Sequence, residues 1–161
     1  MVWLTESGQP PVPGSRTIAG YALKWGVVSS VRADFDEVFC TPGSVAWPSA
    51  MPICVEHDKQ DVIGRLGENA RLADDGMGLW LEIEPSDYHF VAGVRTGRFR
   101  GLSISFRAVA ERWSVVDGRR LRSVDSARLL EVSLCDQGAH HTSVGLGSKL
   151  DIWTDNRRVG G

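Results

Sequence analysis

Several large protein classes are excluded by what this sequence has little of. Its 161 residues include only three cysteines, Cys40, Cys54 and Cys135, an odd number with no Cys-x-x-Cys pair. A disulfide framework is therefore not expected, and the spacing matches no common zinc signature. Three free thiols in a reducing cytoplasm are the expectation. No apolar run approaches the roughly 18 residues that mark a membrane-spanning helix, so no membrane partner is expected. The opening residues, Met1 to Gly14, have no basic segment leading into an apolar one, so no secretory signal is expected either. Net charge is also scarce: 18 basic against 20 acidic residues leave a formal −2. That balance does not favour binding to nucleic acid. The stretch from Arg95 to Arg122 departs from it locally, with eight arginines against Glu111 and Asp117. It has little aromatic interleaving of the kind that stacks bases. A solvated face is the preferred reading, and a docking face for an acidic protein the alternative.

What is present is an ordinary globular composition, 42% hydrophobic and 24% charged, at a length that suits one domain. Gly8, Pro10, Pro11, Pro13 and Gly14 mark residues 1–16 as a flexible or extended lead-in, and residues 144–161 read as a polar, Gly-rich tail. The folded domain is expected over residues 17–143. Strand signals dominate it. They cover Thr17–Trp25, Val27–Val31, Ile53–Val55, Val62–Leu72, Leu79–Ile83, Arg100–Val109, Trp113–Val116 and Ala127–Cys135. Pro42-Gly43 marks a turn and Asp74-Asp75-Gly76 a hairpin. One helix is predicted from a Ser86 N-cap to Gly97 at C′, with Phe90, Val91 and Val94 on its apolar side. A second short helix is expected near Ser44–Ala50. The fold class is mainly β with helices (α+β): a closed or nearly closed antiparallel β-barrel of about six to seven strands with a few helices around it.

Two strands pair an apolar face with a polar one. Period-two alternation sets Leu102, Ile104 and Phe106 against Ser103, Ser105 and Arg107. It likewise sets Leu130, Val132 and Leu134 against Glu131 and Ser133. Any half-buried antiparallel strand shows such a pattern, so it permits hydrolase chemistry without establishing it. His57 follows the apolar run Ile53-Cys54-Val55 and precedes Asp58, at a strand end where reactive groups are often carried. Cys54 lies three residues before it, and on an extended strand that spacing points the two side chains to opposite faces.

These segments resemble, in order, those of the serine proteases of tailed-phage prohead maturation. Ile18-Ala19-Gly20-Tyr21-Ala22 with Trp25 is similar to the family's opening strand. Val38-Phe39 followed by Thr41-Pro42-Gly43-Ser44-Val45 resembles its F-x-P-G-A-F segment. Glu56-His57-Asp58 with Ile63-Gly64-Arg65 is similar to its N-H-D…I-G-R segment, and Asp75-Gly76-Met77-Gly78-Leu79 to the hairpin that follows. Gly101-Leu102-Ser103-Ile104-Ser105-Phe106 resembles its G-[LM]-S-I-G-F strand, and Leu130-Glu131-Val132-Ser133-Leu134 its L-x-E-V-S-L-V strand. The resemblance runs from about Thr17 to Ala139.

It implies a catalytic set of Ser103 as nucleophile, His57 as general base and Glu131 orienting the histidine. It further implies a fold like that of the herpesvirus maturation protease assemblin and a homodimer. The implied function is an endopeptidase that cuts scaffold and major capsid proteins, and itself, inside the assembling procapsid in the host bacterial cytoplasm. No cofactor and no metal are expected. Where the residues depart from the pattern, alternatives stay open. Ser105 replaces a glycine and becomes a rival nucleophile. Glu56 replaces a common asparagine, and Asp136-Gln137-Gly138-Ala139 replaces a proline-containing loop. His140 or His141 could take the third position, or join Cys135 and Asp136 at a metal. Oxyanion donors are expected among backbone amides near Ser103 or after Glu131. A catalytically silent assembly or scaffold-binding module on the same fold is the alternative function.

Overall fold

The computed structural model describes residues 15–138 and 142–148. The strands run in chain order β1 (Ile18–Lys24), β2 (Phe35–Phe39), β3 (Val45–Ala46), β4 (Pro52–Val55), β5 (Asp58–Arg65), β6 (Ala70–Asp74) and β7 (Gly78–Ile83). After the helix α1 (Tyr88–Arg95) come β8 (Gly101–Val116), β9 (Arg119–Cys135) and β10 (Val144–Leu146). The fold is thus mainly β, with one helix among the described residues. One sheet has the order β10-β1-β7-β6 and is antiparallel throughout. The other is organised around β9.

β9 explains how distant segments of the chain meet. Along one edge it pairs antiparallel with β8 over almost the whole length of both strands. Along the other it takes three parallel partners end to end: β2 at Phe35–Phe39, β3 at Val45–Ala46, and β4 at Ile53–Val55. The second sheet is therefore mixed, where an antiparallel one was expected. Its strand pairings do not return on themselves, and no closed ring of strands occurs among the described residues. The two sheets bury a common core, in which Ile18, Leu23, Leu79 and Leu81 of the first meet Phe39, Ile53, Leu102 and Leu129 of the second.

Local chemistry accounts for most element boundaries. The helix begins one residue later than expected: Asp87, not Ser86, is the N-cap, and its carboxylate accepts from the His89 N–H at 2.8 Å. Gly97 has φ +81°, the left-handed conformation that makes glycine the usual residue after a helix. The Val62–Leu72 run breaks at Gly67 (φ +85°) into β5 and β6. The second expected helix is absent. Val45 is buried in pairing with Ala127 of β9, and Pro48 lacks the N–H a helix interior needs. Val27–Val31 contributes only an isolated bridge, Ser29 to Glu37. Val144–Leu146, placed in the tail from sequence, pairs with β1.

One departure from strict alternation matters for the site. Ser105 faces Glu131, but Phe106 faces Leu129, so Leu130 is the extra residue of a β-bulge. Leu130 is therefore exposed, and Leu129 enters the core in its place.

Candidate active site

His57 owes its position to a two-residue turn. Val55 of β4 pairs with Asp58 of β5, leaving Glu56 and His57 as the central residues. Both have positive φ, +50° and +61°, as the mirror-image turn favoured in two-residue hairpins demands. Glycine and asparagine enter that conformation readily, whereas glutamate and histidine are strained in it. Contacts to β9 hold the turn down. The Glu56 N–H donates to the Leu134 carbonyl at 3.0 Å, and its carboxylate accepts from the Asp136 N–H at 2.6 Å. The His57 N–H donates to Ser133 Oγ at 3.0 Å.

The imidazole then lies across the β8–β9 ladder. Its Nε2 is 2.9 Å from Ser103 Oγ, and its Nδ1 is 2.5 Å from Glu131 Oε1. Ser103 and Ser105 are neighbours of Ser133 and Glu131 in the ladder register, so the polar faces of the two strands coincide. The three side chains named from sequence are thus brought together, from the β4–β5 turn, β8 and β9. Glu131 is buried at 2% exposure, while the His57 side chain is 43% exposed. The carboxylate is buried, and the ring is partly open to solvent.

Glu131 accepts two further side-chain hydrogen bonds. Ser105 Oγ donates to Oε1 at 2.6 Å, and Ser133 Oγ donates to Oε2 at 2.6 Å. Ser105 lies on the Nδ1 side of the ring, 3.3 Å from that nitrogen, whereas Ser103 lies on the Nε2 side. The sequence pattern marks Ser105 as a polar-face residue and a rival to Ser103, and Ser133 as a polar-face residue. The signal was there, since residues 131 and 133 share a strand face by period two. Its meaning needed the burial of that face.

The cysteines stand apart from this chemistry. Cys54 is buried on β4, and burial raises its thiol pKa. Cys135 is also buried, and desolvation, followed by the charges of Glu56 and Glu131, pushes its pKa from 9.0 to about 12. Both are held as neutral thiols, poor nucleophiles at neutral pH. His140 and His141 lie outside the described residues. Among the described residues no group of three His, Cys, Asp or Glu side chains is arranged to hold a metal ion.

A cleft of about 540 Å³ opens beside the pair, lined among others by His57, Ser103, Ser105, Phe35, Phe106 and Arg122. A larger one of about 940 Å³ lies along the turn between β5 and β6 and touches none of the three residues. Backbone packing fixes the start of β8, just before Ser103. A side chain at Gly101 would bring a carbon to 2.3 Å from Gly138 Cα, so the segment after β9 sits directly on the start of β8. Thr142 Oγ1 donates to the Leu102 carbonyl at 2.6 Å and accepts from its N–H at 3.2 Å.

A family model of the caudovirus prohead serine protease matches residues 9–150. The chain belongs to that family. Comparison with curated proteins found no match. Prohead serine proteases act as proteases in phage head maturation. The matched span takes in both strands of the ribbon and the turn that carries His57. No helix among the described residues of this prohead protease family member is long and apolar enough to cross a membrane.

Proposed function

We propose that this chain is an active serine endopeptidase that cuts scaffold and major capsid protein segments, and its own terminal segments, during phage head assembly. Ser103 is the nucleophile, His57 the general base and acid, and Glu131 the group that orients the imidazole. One observation carries this reading: the His57 ring spans Ser103 Oγ at 2.9 Å and Glu131 Oε1 at 2.5 Å on opposite nitrogens.

A serine hydroxyl attacks an amide usefully only if a base takes its proton during the attack. With Nδ1–H donated to Glu131, the free lone pair of the neutral ring is on Nε2, facing Ser103. As Oγ bonds to the substrate carbonyl carbon, its proton passes to Nε2. Glu131 stabilises the imidazolium so formed without taking its proton. The imidazolium then protonates the leaving amine, and water repeats the sequence to release the acyl group. The substrate strand would enter by the cleft between Phe35 and Phe106. The enzyme works as a homodimer within the procapsid in the host cytoplasm.

The test needs no knowledge of the cleavage site. A fluorophosphonate probe should label the protein once, at Ser103, and Ser103→Ala should abolish both labelling and cleavage of co-expressed scaffold and capsid proteins. Glu131→Gln should lower turnover by about 10⁴-fold, as loss of the orienting carboxylate does in other triads. A labelled serine other than Ser103, or an unaltered rate in Ser103→Ala, would refute the assignment. New termini mapped on the capsid and scaffold proteins would define the substrates.

A further inference from the structure

Ser133 spends both hydrogen-bonding capacities of its hydroxyl on this site. It is fully buried, at 0% exposure, on β9 two residues from Glu131. Its Oγ–H donates to Glu131 Oε2 at 2.6 Å, and its oxygen accepts the His57 main-chain N–H at 3.0 Å. We infer that Ser133 is a positioning residue for the hydrolytic reaction, joining the main chain of the histidine to the carboxylate that holds the histidine's ring.

His57 sits at φ +61°, a conformation that non-glycine residues adopt only when the surroundings impose it. Without an anchor the turn could relax and carry the ring away from Ser103. The Ser133 oxygen is such an anchor, placed by the parallel pairing of Cys54 with Ser133 two residues before the turn. Ser133 also holds the carboxylate. Glu131 Oε1 is taken by His57 Nδ1 and Ser105, so its rotation about the last side-chain bond is set by what holds Oε2. Among the described residues that is the Ser133 hydroxyl. Main-chain N–H, hydroxyl and carboxylate thus form a continuous chain that runs from the turn to the buried carboxylate, and such bonds reinforce one another. Alanine at position 133 would leave the His57 N–H and one oxygen of the buried carboxylate without this partner at once.

This inference rests on the roles proposed above for Ser103, His57 and Glu131, and the experiment separates the two. The full chain is labelled with a fluorophosphonate at a series of concentrations, giving a maximal labelling rate and a half-saturating concentration. Ser133→Ala is expected to lower the maximal rate about tenfold to a hundredfold, the usual cost of losing a supporting partner. The half-saturating concentration should not change, because Ser133 does not touch the probe. Ser133→Thr, which keeps the hydroxyl, should recover most of the rate. In a Glu131→Ala background the same Ser133→Ala change should cost about twofold or less, because residues that act as a unit are not additive. If Ser133→Ala does not fold, as judged by circular dichroism, the near-isosteric Ser133→Cys replaces it, with a rate loss in the same direction. A folded Ser133→Ala or Ser133→Cys protein labelled at the wild-type rate would overturn the inference. So would an equal loss with and without the Glu131 carboxylate, which would make Ser133 a fold residue only. Either outcome leaves the triad standing if Ser103 is still the labelled residue. Failure to label Ser103 in the unaltered protein would instead remove the triad itself.

Discussion

Two turns in this protein share a backbone shape and differ in sequence. Val116 pairs with Arg119 around Asp117 and Gly118, at φ +51° and +78°, and Val55 pairs with Asp58 around Glu56 and His57, at φ +50° and +61°. Asp-Gly is among the best sequences for such a turn, because the glycine has no side chain to clash. Glu-His is a poor one. The first turn ends the exposed tips of β8 and β9, and its sequence already favours the conformation it adopts. The second is pinned to β9 and the residue after it by hydrogen bonds to Leu134, Asp136 and Ser133. Conformational strain is tolerated where it aims an imidazole and avoided where nothing depends on it. Strain of this kind, about 1–3 kcal/mol per residue, is typical of functional sites.

Exchanging the turn sequences is the strongest way to break the comparison. Glu56→Asp with His57→Gly should reduce cleavage by about 10⁴-fold or more, since it removes the proposed base. A folded double variant that still cleaves would sever the turn from the chemistry. The ribbon itself sharpens the contrast next, because its inner part is core and its outer part is surface. Leu129→Ala should cost about 2–5 kcal/mol of unfolding free energy in urea titration, whereas its neighbour Leu130→Ala should change stability by about 0.5 kcal/mol or less. The reverse graft, Gly118→His, should destabilise by about 1–3 kcal/mol, with fluorophosphonate labelling unaffected. Loss of labelling in that variant would mean the far turn is coupled to the site.

The smallest effect concerns Cys135, whose pKa is pushed up to about 12 by burial and then by Glu56 and Glu131. The native thiol stays protonated where the unfolded one has ionised. Its contribution to stability is therefore complete below about pH 9 and is lost as pH rises toward 12. Iodoacetamide at pH 8 should leave Cys135 unmodified in the folded protein and modify it in urea. Glu56→Gln should bring the onset of modification to slightly lower pH.

How much of this was legible beforehand differs from residue to residue. Ser103 and Glu131 could be placed on polar strand faces by counting in twos, and the helix by its cap and closing glycine. Leu130 was assigned to the core wrongly, because a bulge shifts the alternation by one residue and no local signal marks it. The barrel was expected from the number of strands, yet strand number does not say which edges pair. The three parallel partners of β9 are non-local, joined to it only through tertiary contacts.

By itself the sequence determined the mainly β class of the fold, the candidate catalytic side chains and the strand faces on which Ser103 and Glu131 lie. Those follow from side-chain periodicity and turn chemistry, which act over a few residues. Only the tertiary structure decided that residue 57 meets residues 103 and 131, that the carboxylate is buried, and that Ser105 and Ser133 share it. Those facts depend on which strand edges lie together, and contacts spanning 26 to 76 residues leave no trace in local pattern.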